Sequence, residues 1–321
     1  MKDHAILYVP VSQGNNSYIV PSWRQLFREI LERTLWFSQN GISVLRYEDG
    51  PIKGAFPFFL TIGLNAVNEE VKNRCQIISF WDDLHYFNEA SRRNRHRLFE
   101  TATALLLTYP EHFFFYDEYS CYREKVFSFP WFSAFETKLA DDAWYNRPGK
   151  LLLSGRISDS YPLRKSLASL VSQDAILAPQ VEILRHPGYN ERQKQLGAIL
   201  DIDYYNYLSL FKGSVATSGE SAVFPIDYVV AKYYEIPAAG DLLVCQPIPY
   251  LQERGFVNGK NCIYLDLTQP IEHLRDICNN IESYYSIAKS GQILIRQKHS
   301  IAQRLVDLAS IIHKLNEIVQ S

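Results

Sequence analysis

The sequence predicts an α/β protein built as two doubly wound parallel sheets in series. Three observations carry this. Short apolar runs alternate with stretches of helical periodicity along the chain. A turn-rich break, Asn146-Arg147-Pro148-Gly149, interrupts the alternation, which restarts at Lys150. The 321 residues are enough for two domains, each with its own core.

In the first half, Ala5–Val9 reads as a buried strand followed by the polar loop Gln13-Gly14-Asn15-Asn16. Pro21–Trp36 reads as a helix, because Trp23, Leu26, Phe27, Ile30, Leu31 and Leu35 fall on one stripe. Further strands are expected at Ile42–Leu45, Phe56–Ile62, Gln76–Phe80 and Leu105–Thr108, with a helix over Ala90–Thr103. In the second half the expected strands are Leu151–Ser154, Val181–Arg185, Gly213–Thr217, Leu242–Cys245 and Cys262–Asp266. Helices are expected at Leu163–Ser172, Tyr204–Phe211, Ile226–Ile236 and Pro270–Ser283. The chain closes on an amphipathic helix carrying Leu305, Leu308, Ile311, Ile312, Leu315, Ile318 and Val319. This divides the chain into residues 1–146 plus a returning helix at about 301–321, and residues 147–300.

Composition narrows the function classes. Hydrophobic residues at 47% and charged residues at 21% describe a globular protein. A net charge of −2 gives no general attraction to nucleic acid or to an anionic membrane. The five cysteines (Cys75, Cys121, Cys245, Cys262, Cys278) are scattered, with no paired spacing for zinc. No stretch approaches the length of a membrane span, and the N-terminus lacks a secretory apolar run, so a reducing, cytoplasmic setting is expected. There are 21 Tyr and 18 Phe, a content that suits stacking on sugars or bases and suits a large core equally.

The most informative stretch is Asp227–Gly240, Asp-Tyr-Val-Val-Ala-Lys-Tyr-Tyr-Glu-Ile-Pro-Ala-Ala-Gly. On a continuous helix Asp227 and Glu235, eight residues apart, would project from nearly one face. Ala238, Ala239 and Gly240 leave room for a close approach to the backbone. A carboxylate at 235 can accept two hydrogen bonds from a vicinal diol, or pair with Lys232. Asp227 can stabilise developing positive charge, or cap the helix expected from Ile226.

This stretch resembles the donor-site signature of the group 1 retaining glycosyltransferases, and more closely their spore-maturation-type relatives, where Tyr-Phe-Glu-Ile-Pro-Ala-Cys-Gly is typical. The resemblance runs from about Leu151 to Arg304. It includes Gly255-Phe-Val-Asn-Gly-Lys-Asn-Cys-Ile-Tyr264 and Ala288-Lys-Ser-Gly291 through His299. It is thin over the first 146 residues. It implies a GT-B-like architecture, two Rossmann-like domains facing across a cleft with the last helix crossing back to the first. In that family the second acid, here Glu235, binds the ribose of a nucleotide sugar. The first lies near the transferred sugar and is usually Glu, so Asp227 departs from the pattern with a shorter arm.

Other residues take roles from position in this frame. Gly155 and Arg156, with Arg164 and Lys165, look like the family's phosphate-clamping segment, where cations stabilise the departing nucleoside diphosphate. The loop Ser218–Val223, with Ser221, leads toward a helix start that suits a diphosphate. Tyr189, in Arg185-His186-Pro187-Gly188-Tyr189, is a candidate to stack on the base or an ordinary loop residue. In the first half, Phe80-Trp81-Asp82-Asp83-Leu84-His85 follows a strand. His85 is a candidate contact to the donor sugar, and Asp82 or Asp83 a candidate to orient the acceptor hydroxyl or take its proton. Asn15 and Asn16 are candidates for the acceptor side. Asp201-Ile202-Asp203 matches a metal motif of the other large glycosyltransferase fold, but it precedes a helical stretch and reads as a cap. The basic run Arg92–Arg97 reads as a solvated helix face.

The expectation is a glycosyltransferase moving a sugar from a nucleotide sugar to a glycan or glycoconjugate. Frequency among such enzymes favours UDP. The family resemblance implies retention of configuration, no cofactor and no obligatory metal. A non-catalytic two-lobed sugar-binding protein and a nucleotide-sugar epimerase on a similar frame are the alternatives.

Overall fold

The computed structural model describes residues 4–15, 20–54, 56–64, 66–81, 89–111, 117–134, 144–159, 161–184, 201–218 and 227–320, with the side chains of 15, 89–92, 201–203 and 320 outside that description. The chain forms two compact units, Met1–Pro130 with Ile301–Ser321, and Trp131–Ser300.

The first unit holds a six-stranded parallel sheet. Its strands are β1 (Ala5–Val9), β2 (Ile42–Arg46), β3 (Phe58–Ile62), β4 (Gln76–Trp81), β5 (Ala104–Leu107) and β6 (Val126–Ser128), in the order β2-β1-β3-β4-β5-β6. The strands are short and apolar because both faces of a parallel sheet are covered. An aromatic cluster fills one face. The Trp23 ring lies 4.7 Å from Phe80 and 6.0 Å from Phe129. The final helix, Ile301–Gln320, belongs to this unit and buries Leu305, Leu308, Ile312 and Leu315, as its periodicity predicts.

The second unit holds a five-stranded parallel sheet: β7 (Leu151–Ser154), β8 (Val181–Leu184), β9 (Gly213–Ala216), β10 (Leu242–Cys245) and β11 (Ile263–Tyr264), in the order β11-β10-β9-β7-β8. Its core joins Leu151, Leu153, Val215, Leu242 and Val244 to Leu167 and Val171 of the Pro162–Gln173 helix and to Leu274 and Ile277 of the Pro270–Asn279 helix.

In each sheet the first strand sends the chain to one side and the next connection returns it to the other. This creates a switch point between β1 and β3, and another between β7 and β9. Ligands of such sheets bind outside the carboxyl ends of the strands at this place.

Several elements differ from expectation. Pro21–Trp36 breaks at Arg33 (φ −100°, ψ 33°) into Pro21–Glu32 and Thr34–Gln39. The helix expected over Ile226–Ile236 starts only at Lys232, and 227–230 is irregular. Val229-Val230 is a β-branched pair, which lowers helix propensity over this segment. Asp227 and Glu235 therefore do not share a helix face, and Asp227 does not cap that helix. Pro270–Ser283 is likewise divided, into a helix ending at Asn279 and a 3₁₀ turn over Ile281–Tyr284. The three-residue strand β6 is too short to have been read from its pattern. In the basic run, Arg93 and Arg97 are exposed as expected, but Arg95 is 1% exposed and turned against Tyr119.

Candidate functional site

The carboxyl ends of β7 and β9 carry the candidate site. β7 ends at Ser154, and the chain turns at Gly155 with φ +127°. A Cβ there would stand 2.5 Å from Nη1 of Arg164, so both conformation and space require glycine. Under this turn lies the Arg164 side chain, 3% exposed. Its Nη1 donates to the Arg156 carbonyl at 3.2 Å and its Nη2 to the Thr217 carbonyl at 2.9 Å. One guanidinium thus ties the segment after β7 to the segment after β9 across the switch point. Its carbon sits 4.4 Å from the centre of the Tyr161 ring. Its Nε–H is buried without a hydrogen-bond partner, and it makes no ion pair among the described residues. Burial pushes its pKa down.

Lys232 opens the Lys232–Ala238 helix. Its Nζ donates to Ser154 Oγ at 2.8 Å and to the Tyr204 hydroxyl at 2.6 Å, and those two oxygens are themselves 2.8 Å apart. Burial, with Arg164 adding to it, lowers the Lys232 pKa to about 7 against the opposing pull of Glu235. Glu235 lies three residues on in the same helix and is partly buried. Burial raises its pKa while Lys232 holds it down. Its carboxylate accepts no hydrogen bond among the described residues.

The Glu235 helix is wedged in place. Gly291 of the Tyr285–Lys298 helix admits this packing, since a Cβ there would lie 2.7 Å from the Asn261 carbonyl and 3.2 Å from Pro237. On the other side Tyr234 meets His299 edge-on at 4.9 Å and Phe256 at 5.4 Å, while His299 Nε2 bonds the Arg254 carbonyl at 2.8 Å. The segments that carry the resemblance beyond the acidic motif therefore buttress this helix.

Asp227 sits at the ends of β9 and β10. Its Oδ1 accepts from the Ser218 hydroxyl, and from Gln246 Nε2 at 3.0 Å. Gln246 Oε1 in turn accepts from the Ser218 backbone N–H at 3.0 Å. Asp227 is thus held by tertiary partners beside the crevice.

The remaining predicted residues divide. Arg156 is exposed and offers its carbonyl to Arg164, so its own side chain is available. Lys165 pairs with Asp159 at 2.6 Å on the surface, a contact that contributes little and releases easily. Asn15 ends the short Val11–Asn15 helix, and its side chain is not described. Asn16, Asp82, Asp83, His85, Tyr189 and Ser221 lie outside the described residues. Asp201 and Asp203 stand in the first turn of the Asp201–Leu208 helix, their side chains undescribed. Among the described residues no group of three or more His, Cys, Asp or Glu could hold a metal ion, and no helix is long and apolar enough to cross a membrane.

Sequence reasoning missed four members of this cluster: Ser154, Tyr204, Gln246 and, except as an ion-pair partner, Lys232. Ser154 and Gln246 adjoin the carboxyl ends of apolar strands, a placement the sequence does show. Nothing local marks Tyr204.

No family model matches the chain, and no curated protein matches it in sequence. Solved structures do match in fold. HepE of Anabaena, crystallised with UDP and glucose, aligns with a TM-score of 0.57 at 12% identity, over 96% of this chain and 99% of that one. Sucrose-phosphate synthase of Thermosynechococcus elongatus gives 0.55 at 10%, over 99% and 100%. TarM gives 0.53 at 13%, over 80% of this chain and 54% of that one, so the chain spans about half the length of TarM. The likeness at these identities is one of fold. This chain has two Rossmann-like parallel-sheet domains of the kind found in GT-B glycosyltransferases, with its last helix returned to the first.

Proposed function

We propose that the chain is a glycosyltransferase that moves a sugar from a nucleotide diphosphate donor, with UDP as the nucleotide, to a glycan or glycoconjugate acceptor. The single observation that carries this reading is the pair of cations at the β7/β9 switch point. Arg164 and Lys232 stand there without an ion pair among the described residues, next to a carboxylate with unused oxygens. Arg164 is a buried cation without an internal counterion among the described residues, and such a group calls for an external anion. A diphosphate supplies it, and a ribose supplies the diol for Glu235. HepE was solved with UDP and glucose, and GtfA with UDP and GlcNAc, which supports the same ligand class on this fold.

In this reading the bond between the anomeric carbon and the donor's distal phosphate oxygen breaks, and negative charge grows on the leaving diphosphate. Arg164 and Lys232, with exposed Arg156 and Lys165 able to swing in, stabilise that charge without a cofactor or an obligatory metal. Gly155 and the segment around Ser221 shape the phosphate seat, and Tyr189 stacks on the base. Asp227 and His85 flank the transferred sugar, and Asp83 takes the acceptor proton. Asp82, Asn15 and Asn16 line the acceptor side. Transfer with retention of configuration is part of this reading and rests on the resemblance of Asp227–Gly240 to retaining enzymes. An alpha-glucosyltransferase of similar fold was solved with DNA, so fold alone does not choose the acceptor; the net charge of −2 favours a glycan over nucleic acid. The scattered unpaired cysteines fit a cytoplasmic setting.

The test is binding and turnover of UDP-sugars by the wild type and by Glu235→Ala. Calorimetric UDP binding that weakens at least about tenfold in the variant is expected, equivalent to about 1.4 kcal/mol. A new glycosidic bond in the product separates transfer from epimerisation. Undiminished binding by Glu235→Ala, or release of an altered free nucleotide sugar, overturns the reading.

A further inference from the structure

Lys232 is placed unlike an ordinary structural lysine. Its hydrogen bonds go to two neutral hydroxyls, Ser154 Oγ and Tyr204 OH, which also bond each other. An ammonium has three donors, and the third has no partner among the described residues. The titratable groups around it come from three directions. Glu235 is on its own helix, Arg164 reaches in from beneath Gly155, and Tyr204 faces it from the Asp201–Leu208 helix. Asp227, from the segment ahead, is engaged by Ser218 and Gln246.

A triangle of hydroxyls is indifferent to the amine's protonation state. Both hydroxyls accept from an ammonium, and after a small rotation of its hydrogen one of them donates to the single lone pair of a neutral amine while the other still accepts an N–H. A carboxylate in the same place would commit the lysine to its charged form. The geometry therefore lets this nitrogen hold or release its proton without breaking the contacts that position it.

We propose that Lys232 is a ligand-dependent cation, charging as a diphosphate enters the crevice, so that donor binding takes up a proton and tightens as pH falls through neutrality. The proton passes from solvent to the Nζ lone pair, and no bond of the ligand breaks. Burial and Arg164 leave the empty site's lysine only partly protonated near pH 7, and an adjacent phosphate reverses that balance. Reciprocity makes the two events one: an anion that prefers the ammonium raises proton affinity by the factor that the proton raises anion affinity. The inference uses the Proposed function for the nucleoside, but the triangle itself requires only a diphosphate.

The experiment is titration calorimetry of the full chain with UDP at about pH 7.5 in PIPES, HEPES and Tris at matched ionic strength. The slope of observed heat against buffer ionisation heat counts protons, and roughly 0.7 of a proton taken up per UDP is expected from a group titrating near 7. Lys232→Met, which removes the group, loses that uptake and binds UDP more weakly near pH 6.5. Lys232→Arg, permanently charged, also loses the uptake while still binding. Ligand-free melting of each variant verifies folding. UDP binding with equal proton uptake in wild type and Lys232→Met overturns this inference and leaves the donor reading standing. Pyrophosphate binding with Lys232-dependent uptake, when neither UDP nor GDP binds, supports the inference and removes the nucleotide reading. Failure of the wild type to bind UDP, GDP or pyrophosphate removes both.

Discussion

Two arginines hold the two ends of the second sheet, and they are held in opposite ways. At the amino ends of β9 and β10, Arg147 donates to the Phe211 carbonyl at 2.9 Å, the Ala239 carbonyl at 3.0 Å and Asp241 Oδ1 at 2.8 Å. Asp241 is fully buried and also accepts from Ser214 at 2.8 Å. At the carboxyl ends of β7 and β9, Arg164 makes the same kind of tie between carbonyls but meets no carboxylate among the described residues. One guanidinium carries its counterion within the fold, and the other has none among the described residues, the place the proposed donor diphosphate would fill. The same side chain on the same sheet is a strut at one end and half of an unfinished ion pair at the other. The first sheet shows a third solution. At its switch point the neutral amide of Gln13 donates to Thr61 at 3.0 Å and accepts from the Ile62 N–H at 2.9 Å, so an amide stands where the second sheet has a guanidinium.

This contrast is open to attack by substitution. The largest expected effect is at the strut: Arg147→Met leaves Asp241 buried without its partner and costs about 3–5 kcal/mol in denaturant unfolding. Pairing it with Asp241→Asn recovers much of that loss; no recovery would mean that the carbonyl ties, not the charge pair, carry the strut. Next is Arg164→Met, for which a UDP affinity loss of at least about a hundredfold is expected, equivalent to about 2.7 kcal/mol. Arg164→Lys is expected not to rescue, because a compact ammonium lacks the width of the planar guanidinium whose two ends reach the Arg156 and Thr217 carbonyls. Binding untouched by either change would make Arg164 a second strut.

Lys232→Met comes third and works in the opposite direction, stabilising the ligand-free protein by about 1–2 kcal/mol near pH 6. The native pKa of Lys232, about 7, lies below its unfolded value, so the unfolded chain binds the extra proton between these pH values. Wild-type stability therefore rises with pH from about 7 toward 10, and the gap to the variant closes over that window. Urea unfolding of both proteins across pH checks the sign. The smallest effect is Gln13→Met, about 1 kcal/mol of stability with UDP binding unchanged, since it removes the neutral hydrogen bonds to Thr61 and Ile62 in the first sheet.

The fold was legible where burial speaks through local pattern. Leu151–Ser154 and Leu242–Cys245 are apolar runs bounded by turn residues, and they are strands over those same residues. The start of the acidic-motif helix was not legible, because Asp227 is held by Ser218 and Gln246, which lie outside the motif, 9 residues before it and 19 after. The site was legible by residue type more than by arrangement. A basic residue after β7 was expected, but nothing adjacent in sequence says that Arg164 folds inward while Arg156 stays out. Lys232 reads as a partner for Glu235 from its spacing, yet its hydrogen bonds go to Ser154 and Tyr204. Arg147 lies in a turn-rich break that advertises a boundary, and its partner is Asp241, 94 residues on.

That last placement matters for anyone dissecting the molecule. A fragment begun at Lys150 would keep all five strands of the second sheet and look complete on a diagram. It would also discard the guanidinium that neutralises Asp241, so the cut that appears cleanest by strand count leaves a bare acid in the interior. Excision that preserves Trp144 through Gly149 retains both the counterion and the tryptophan that seals the same core.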